Sequence, residues 1–266
     1  MKQSANGIEI NYEIEGSGPV VTFSHSLGCN LSMWDEQVRA LAGRYRVLRY
    51  DTRGHGKSSA PGGLYTLAQL AEDLHGLLAG LGIRETHFVG LSMGGMIGQT
   101  FALAHPAMIQ SLVLCDTTSR YPAAAAPIWK DRIETATAKG MEPLVEGTLE
   151  RWFTPAFRAR RPEVMDRVRA MIRSTPAAGY IGCCHAIPKI DVTDRLGAVR
   201  VPALVIVGEE DPGTPVEMAR AIHAALPAAE LAIIRSASHL SNLEQPEEFN
   251  RLLGAFLDKA AGKKAL

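Results

Sequence analysis

Gly90-Leu91-Ser92-Met93-Gly94-Gly95 follows an apolar, strand-like run, His87-Phe88-Val89-Gly90, and precedes a helical pattern. A Gly-x-Ser-x-Gly sequence at a strand-to-helix junction has a definite physical use. A serine hydroxyl is a weak nucleophile at neutral pH and needs a sharp, open turn where a base can reach it. Glycines on both sides permit the tight passage, because a β-carbon there would crowd the neighbouring backbone. The helix that follows aims its free N–H groups and positive end at the same point, ready for a developing oxyanion. Ser92 is therefore the candidate nucleophile.

Outward from this junction, short apolar runs alternate with amphipathic helical runs. Candidate strands are Val20-Val21-Thr22-Phe23, Arg46-Val47-Leu48-Arg49-Tyr50, Ser111-Leu112-Val113-Leu114-Cys115, Ala203-Leu204-Val205-Ile206-Val207 and Leu231-Ala232-Ile233-Ile234. Four or five apolar residues in succession imply burial on both faces, as in a parallel sheet covered by helices. Leu67, Leu70, Leu74, Leu77 and Leu78 form one apolar stripe at helical spacing. Pro246 can open a last helix whose buried face is Phe249, Leu252, Leu253 and Phe256. The alternation predicts an α/β fold with a doubly wound, mostly parallel sheet.

Residues 121–190 break the rhythm, with no convincing buried strand and a helix-favouring, Arg-rich composition. They read as a helical cap inserted between two parts of one core, residues 1–120 and 191–266. The insertion holds 11 Lys+Arg against 7 Asp+Glu, a net of +4 in a chain of zero net charge. Such a surplus suits either a solvated helix surface or a basic lid over an anionic substrate.

A nucleophilic serine needs a base and an acid, expected in the chain order serine, acid, histidine. His239, in Ser236-Ala237-Ser238-His239-Leu240, lies just past the last strand, on the edge where ligands of such sheets bind. His75 and His223 fall within helical patterns, His105 closes one before Pro106, and His87 begins a strand at the opposite end. The acid is expected after an earlier strand on the same edge. Asp211 follows Val207 in a turn-rich loop and can hold the imidazole in the required tautomer. Asp116, after Cys115, is the second candidate; Glu209 and Glu210 read as solvated loop charges. The loop Ser24-His25-Ser26-Leu27-Gly28 follows the first core strand. The backbone N–H groups of Leu27 and Met93 are the expected oxyanion donors, with Ser26 lining the site and His25 holding the loop. Asp51-Thr52-Arg53-Gly54-His55-Gly56-Lys57-Ser58 is Gly-rich and basic but lacks phosphate-loop spacing, and reads as a scaffold turn.

The 266 residues suit one sizeable α/β domain, or a core plus an insertion. At 46% hydrophobic and 21% charged residues, disorder and fibrous repeats do not fit. Lys+Arg and Asp+Glu balance at 28 each, which argues against a surface built to hold nucleic acid or anionic membrane. No run approaches the ~18 apolar residues of a membrane span, and Met1 to Gly7 lack the apolar core of a secretory signal. Cys29, Cys115, Cys183 and Cys184 are too irregularly spaced for a disulfide scaffold or a zinc site. The expectation is a soluble, reduced, cytoplasmic protein.

Taken together, the loop from His25 to Gly28, the turn from Asp51 to Ser58, the Ser92 junction, the Asp211 loop and His239 resemble the α/β-hydrolases of the esterase and lactonase branch. Serine at position 92 disfavours the haloalkane dehalogenases, whose members carry an aspartate there. A narrower resemblance lies in Phe23 to Gly28, Ser32-Met33-Trp34-Asp35, Thr148 to Pro155 and Gly179 to Ile187, which are similar to the 3-oxoadipate enol-lactonases. That resemblance implies hydrolysis of 3-oxoadipate enol-lactone to 3-oxoadipate in bacterial aromatic-acid catabolism, with no metal or organic cofactor. The partner is then a small anionic lactone or ester, for which Trp129, Arg132 and Trp152 are the expected contacts. Other carboxylesterases, C–C bond hydrolases, perhydrolases and ligand-binding receptors share the scaffold.

Overall fold

The apolar runs form the centre of one eight-stranded sheet in the computed structural model, which describes residues 1–262. Its strands are β1 (Lys2–Ala5), β2 (Ile8–Glu15), β3 (Val20–Ser24), β4 (Arg46–Tyr50), β5 (Thr86–Leu91), β6 (Ile109–Cys115), β7 (Ala203–Gly208) and β8 (Ala229–Ile234). They lie in the order β1-β2-β4-β3-β5-β6-β7-β8. β1 and β2 pair antiparallel to each other, as do β2 and β4; every later pair is parallel. The helices are α1 (Asp35–Leu41), α2 (Leu67–Gly80), α3 (Met93–Ala104), α4 (Ala126–Lys139), α5 (Val145–Trp152), α6 (Pro155–Arg160), α7 (Pro162–Ser174), α8 (Ala177–Ala186), α9 (Val216–Ala225), α10 (Ser241–Glu244) and α11 (Pro246–Ala260). The leucine stripe predicted for residues 67–78 is the buried face of α2, and Pro246 opens α11.

One predicted strand differs in environment. The apolar run Leu231 to Ile234 lies in β8, but β8 is the sheet's edge and only Ile234 in it is fully buried. An apolar run reports β propensity; which strand takes the edge is decided by topology, and among the described residues β7 is its only sheet neighbour.

The parallel register places the site. Ser24 pairs with Gly90, Leu91 with Cys115, Cys115 with Ile206 and Gly208 with Ile234. The carboxyl ends of β3, β5, β6, β7 and β8 therefore stand in a row, and the loops carrying Ser26, Ser92, Asp116, Asp211 and His239 leave from one edge. β4 and β5 lie on opposite sides of β3, so the chain reverses direction across the sheet there. Such switch points open a crevice at the strand ends.

Between β6 and β7 the chain runs through α4 to α8. The ends of this insertion meet where Arg120 bridges to Asp191 and the Val192 N–H donates to the Ser119 carbonyl at 2.9 Å. Among the described residues, no helix is long and apolar enough to cross a membrane.

Candidate active site

Ser92 sits between β5 and α3 with φ 55° and ψ −115°, a left-handed conformation that a side chain rarely adopts. Strain of this kind costs on the order of 1–3 kcal/mol and persists only where neighbours enforce it. Here the Ser92 N–H donates to the Cys115 carbonyl at 2.9 Å, and its carbonyl accepts from the Thr117 hydroxyl at 2.7 Å. The flanking glycines are required by space. A β-carbon on Gly90 would lie 2.3 Å from the Gly94 carbonyl oxygen, and one on Gly94 would lie 2.1 Å from that of Ser24. Met93 follows as the first residue of α3, whose leading N–H groups lack intrahelical acceptors.

His239 and Asp211 are brought together. The imidazole Nδ1 is 2.7 Å from Asp211 Oδ2, and both residues are buried. The same Oδ2 accepts from the Thr214 hydroxyl at 2.7 Å, while Oδ1 accepts the N–H groups of Gly213 at 2.8 Å and Thr214 at 3.1 Å. Burial disfavours the imidazolium, but the charge and hydrogen bond of Asp211, aided by Asp116, outweigh it and raise the His239 pKa above 6.5. Burial likewise opposes the Asp211 carboxylate, and His239 with the Thr214 donors more than offsets it, leaving that pKa below the usual range.

The second acid candidate, Asp116, has another task. Its Oδ1 accepts the Gly208 N–H at 2.7 Å and its Oδ2 the Ser241 hydroxyl at 2.6 Å, so it joins the ends of β6 and β7 to α10. Burial, with the Asp211 charge nearby, raises its pKa. Glu209 and Glu210 are exposed, as expected of loop charges.

The loop after β3 is held by two neutral imidazoles. His25 Nδ1 bonds the Ser26 carbonyl at 2.8 Å while its Nε2 accepts the Thr52 N–H at 3.0 Å. His55 Nε2 accepts the Gly28 N–H at 3.0 Å, with Nδ1 toward the Arg53 carbonyl. Both rings must be unprotonated to accept, and burial lowers their pKa values to about 4 and about 3. The Asp51 to Ser58 turn is a scaffold, because the Asp51 carboxylate accepts the N–H groups of Leu31 and Lys57 and the Asn11 amide, each at 2.8 Å.

Ser26, Leu27, Ser92 and His239 line one cavity of about 350 Å³, whose lining also includes Trp129, Arg132 and Trp152 from the insertion. The Ser26 hydroxyl is buried there without a hydrogen-bond partner. The Trp152 and His239 rings stack with centroids 6.3 Å apart, and the Arg132 guanidinium lies 4.6 Å from the Trp129 centroid.

Arg151, not among the contacts expected from the sequence, lines the same cavity. It is half-buried, bonded to the Thr148 hydroxyl at 3.0 Å, and its pKa is lowered by burial and by the positive charge of Arg132. Among the described residues neither Arg132 nor Arg151 has an ion-pair partner, whereas Arg158, Arg161, Arg169 and Arg173 pair with carboxylates outside the cavity. Thr148, Arg151 and Trp152, at three- and four-residue spacing, share one face of α5; that spacing was the available signal. The only metal-type donor cluster among the described residues is Glu72, His75 and His105, outside the cavity lining.

Comparison with known proteins agrees with this fold. The profile of the alpha/beta hydrolase fold family matches residues 19–246. The chain belongs to the α/β-hydrolase family. This hydrolase is 36% identical to 3-oxoadipate enol-lactonase 2 of Acinetobacter baylyi, over 96% of each chain. It superposes on the crystal structure of the enol-lactonase from Burkholderia xenovorans LB400 with a TM-score of 0.93, at 38% identity over 97% of this hydrolase and 99% of that chain. It is also 29% identical to RutD of Stutzerimonas stutzeri, provisionally named a carbamate hydrolase, over 97% of this hydrolase and 98% of that protein.

Proposed function

We propose that the chain hydrolyses 3-oxoadipate enol-lactone to 3-oxoadipate through an acyl-enzyme on Ser92. The observation that carries this reading is the pair of guanidiniums, Arg132 and Arg151, without carboxylate partners in the cavity that holds Ser92 and His239. Two like charges on an enclosed wall repel unless an anion joins them, and guanidinium matches carboxylate in bidentate geometry. The enol-lactone carries one carboxylate. In this reading residues 121–190 are a cap that supplies the anion-binding wall, over a core of residues 1–120 and 191–266.

Ser92 Oγ attacks the lactone carbonyl as His239 Nε2 takes its proton. Asp211 keeps the other imidazole proton on Nδ1 and stabilises the imidazolium. The N–H groups of Leu27 and Met93 receive the oxyanion, and the Ser26 hydroxyl is free to bond the substrate. Collapse breaks the ring C–O bond and expels an enolate, which takes up the proton held on His239 and becomes the ketone. Water, deprotonated by His239, then releases the acyl group, so one lactone and one water give one 3-oxoadipate. Trp129 and Trp152 supply apolar walls for the carbon chain.

The test is a panel of enol-lactone, anionic half-esters, neutral esters and a carbamate, assayed with wild type, Ser92→Ala and Arg151→Gln. The enol-lactone should have the highest kcat/KM. Ser92→Ala should abolish turnover. Arg151→Gln should raise KM for anionic substrates about 10-fold or more, the worth of one charged hydrogen bond, and leave neutral esters unchanged. Faster turnover of neutral esters or of the carbamate would overturn the substrate assignment.

A further inference from the structure

Of the buried carboxylates that the mechanism does not use, Glu244 reaches the insertion. Glu244, 2% exposed at the end of α10, accepts three hydrogen bonds from two segments, one near in sequence and one ninety residues away. Its Oε2 takes the Ser238 N–H at 2.9 Å, and its Oε1 takes the Thr154 N–H at 3.0 Å together with the Thr154 hydroxyl. Ser238 precedes His239, and Thr154 lies in the turn between α5 and α6 of the insertion. Two further bonds run between the same segments. The Leu240 N–H donates to the Trp152 carbonyl at 3.1 Å, and the Ser238 hydroxyl to the Arg151 carbonyl at 2.9 Å. The residues on either side of His239 are thus fastened to Arg151, Trp152 and Thr154.

We infer that Glu244 is a positioning residue that locks the α5–α6 turn to the His239 loop, so that the base and the wall formed by Arg151 and Trp152 keep one register. The inference rests on the assignment of Ser92 and His239 as nucleophile and base. A carboxylate is required because both anchor points are backbone donors that cannot reverse. In a glutamine the amide NH2 would face either the Ser238 N–H or the Thr154 N–H, so one anchor must break whichever way it turns. The consequence reaches the site from both sides. A shift in the His239 loop moves the base relative to Ser92, and a shift in the turn moves the side chains that line the cavity.

Ser92 phosphonylation by a fluorophosphonate reads the base and nucleophile directly, and steady-state assays separate kcat from KM. Wild type, Glu244→Gln, Ser238→Ala and Ser92→Ala are compared on p-nitrophenyl acetate and on the anionic mono-4-nitrophenyl ester of succinate, with melting temperatures. Glu244→Gln should slow phosphonylation per folded molecule by about 10- to 100-fold, the cost of a small misplacement of reacting groups, and raise KM for the anionic ester. A purely structural role would lower the melting temperature and leave the labelling rate per folded molecule unchanged; that result overturns the inference. If Glu244→Gln cannot be obtained folded, Ser238→Ala removes the hydroxyl's bonds to the Arg151 and Glu210 carbonyls while keeping the Ser238 N–H bond to Glu244, and should give a smaller slowing in the same direction; a wild-type rate overturns it. Failure of wild-type Ser92 to label would defeat the nucleophile assignment instead, and the Ser92→Ala control distinguishes the two.

Discussion

Replacing Asp211 with asparagine should remove the base without removing the fold, and the reason can be followed atom by atom. Oδ1 faces two backbone donors, the N–H groups of Gly213 and Thr214, which cannot reorient. Oδ2 faces the Thr214 hydroxyl and His239 Nδ1. The new NH2 group is therefore driven to the Oδ2 position. There the Thr214 hydroxyl can rotate and accept, but Nδ1 must also become an acceptor. The imidazole proton then moves to Nε2, the nitrogen needed to take the proton of Ser92. A base held in the wrong tautomer costs about 10⁴-fold in kcat, or about 5.5 kcal/mol of transition-state stabilisation. The folding cost is smaller, about 1–3 kcal/mol for the lost charged hydrogen bonds. The assay is kcat on the best substrate at saturating concentration, normalised to folded protein, beside denaturant unfolding of both variants. An Asp211→Asn enzyme that keeps more than about a tenth of wild-type kcat would refute the tautomer argument.

Two further outcomes follow from the titrating groups. His239 must be neutral to accept a proton and its pKa lies above 6.5, so kcat/KM should fall with acidification through a midpoint above that value; a profile flat from about pH 8 down to pH 5 would contradict the assignment of His239 as base. His25 and His55 act on stability in the acid range. Their folded pKa values of about 4 and about 3 lie below the ordinary 6.5, so the unfolded chain binds protons first as pH falls. Stability should therefore drop progressively from about pH 6.5 toward pH 3, by on the order of several kcal/mol in all. Urea unfolding across this range should show a shallower slope in His55→Gln than in wild type, and equal slopes would contradict the account.

The parts of this molecule legible in the sequence are those set by local backbone chemistry. Ser92 is marked by glycines whose β-carbons have no room, and His239 and Asp211 follow apolar strands on the edge where parallel strands end. The family motifs strengthened the same reading. Other features depend on where distant segments come to rest. Glu244 takes hydrogen bonds from Thr154, ninety residues away, and nothing in Ser241-Asn242-Leu243-Glu244 announces that partner. Arg151 and Arg173 are alike as letters, yet one faces the cavity and the other pairs with Glu142 on the surface. The net charge of the insertion does not single out Arg132 and Arg151, since Arg158, Arg161, Arg169 and Arg173 add to the same total while pairing with carboxylates. β8 shows the converse limit, where an apolar run indicated a strand but not its place at the edge.

The central claim is a covalent ester between substrate and Ser92. Rapid mixing with 3-oxoadipate enol-lactone, acid quench and mass spectrometry of the digested protein test it most directly. The expected result is a transient adduct with the full mass of the lactone on the peptide containing Ser92, absent in Ser92→Ala. Sustained lactone hydrolysis by Ser92→Ala, or wild-type turnover with the adduct on another residue, would contradict the account.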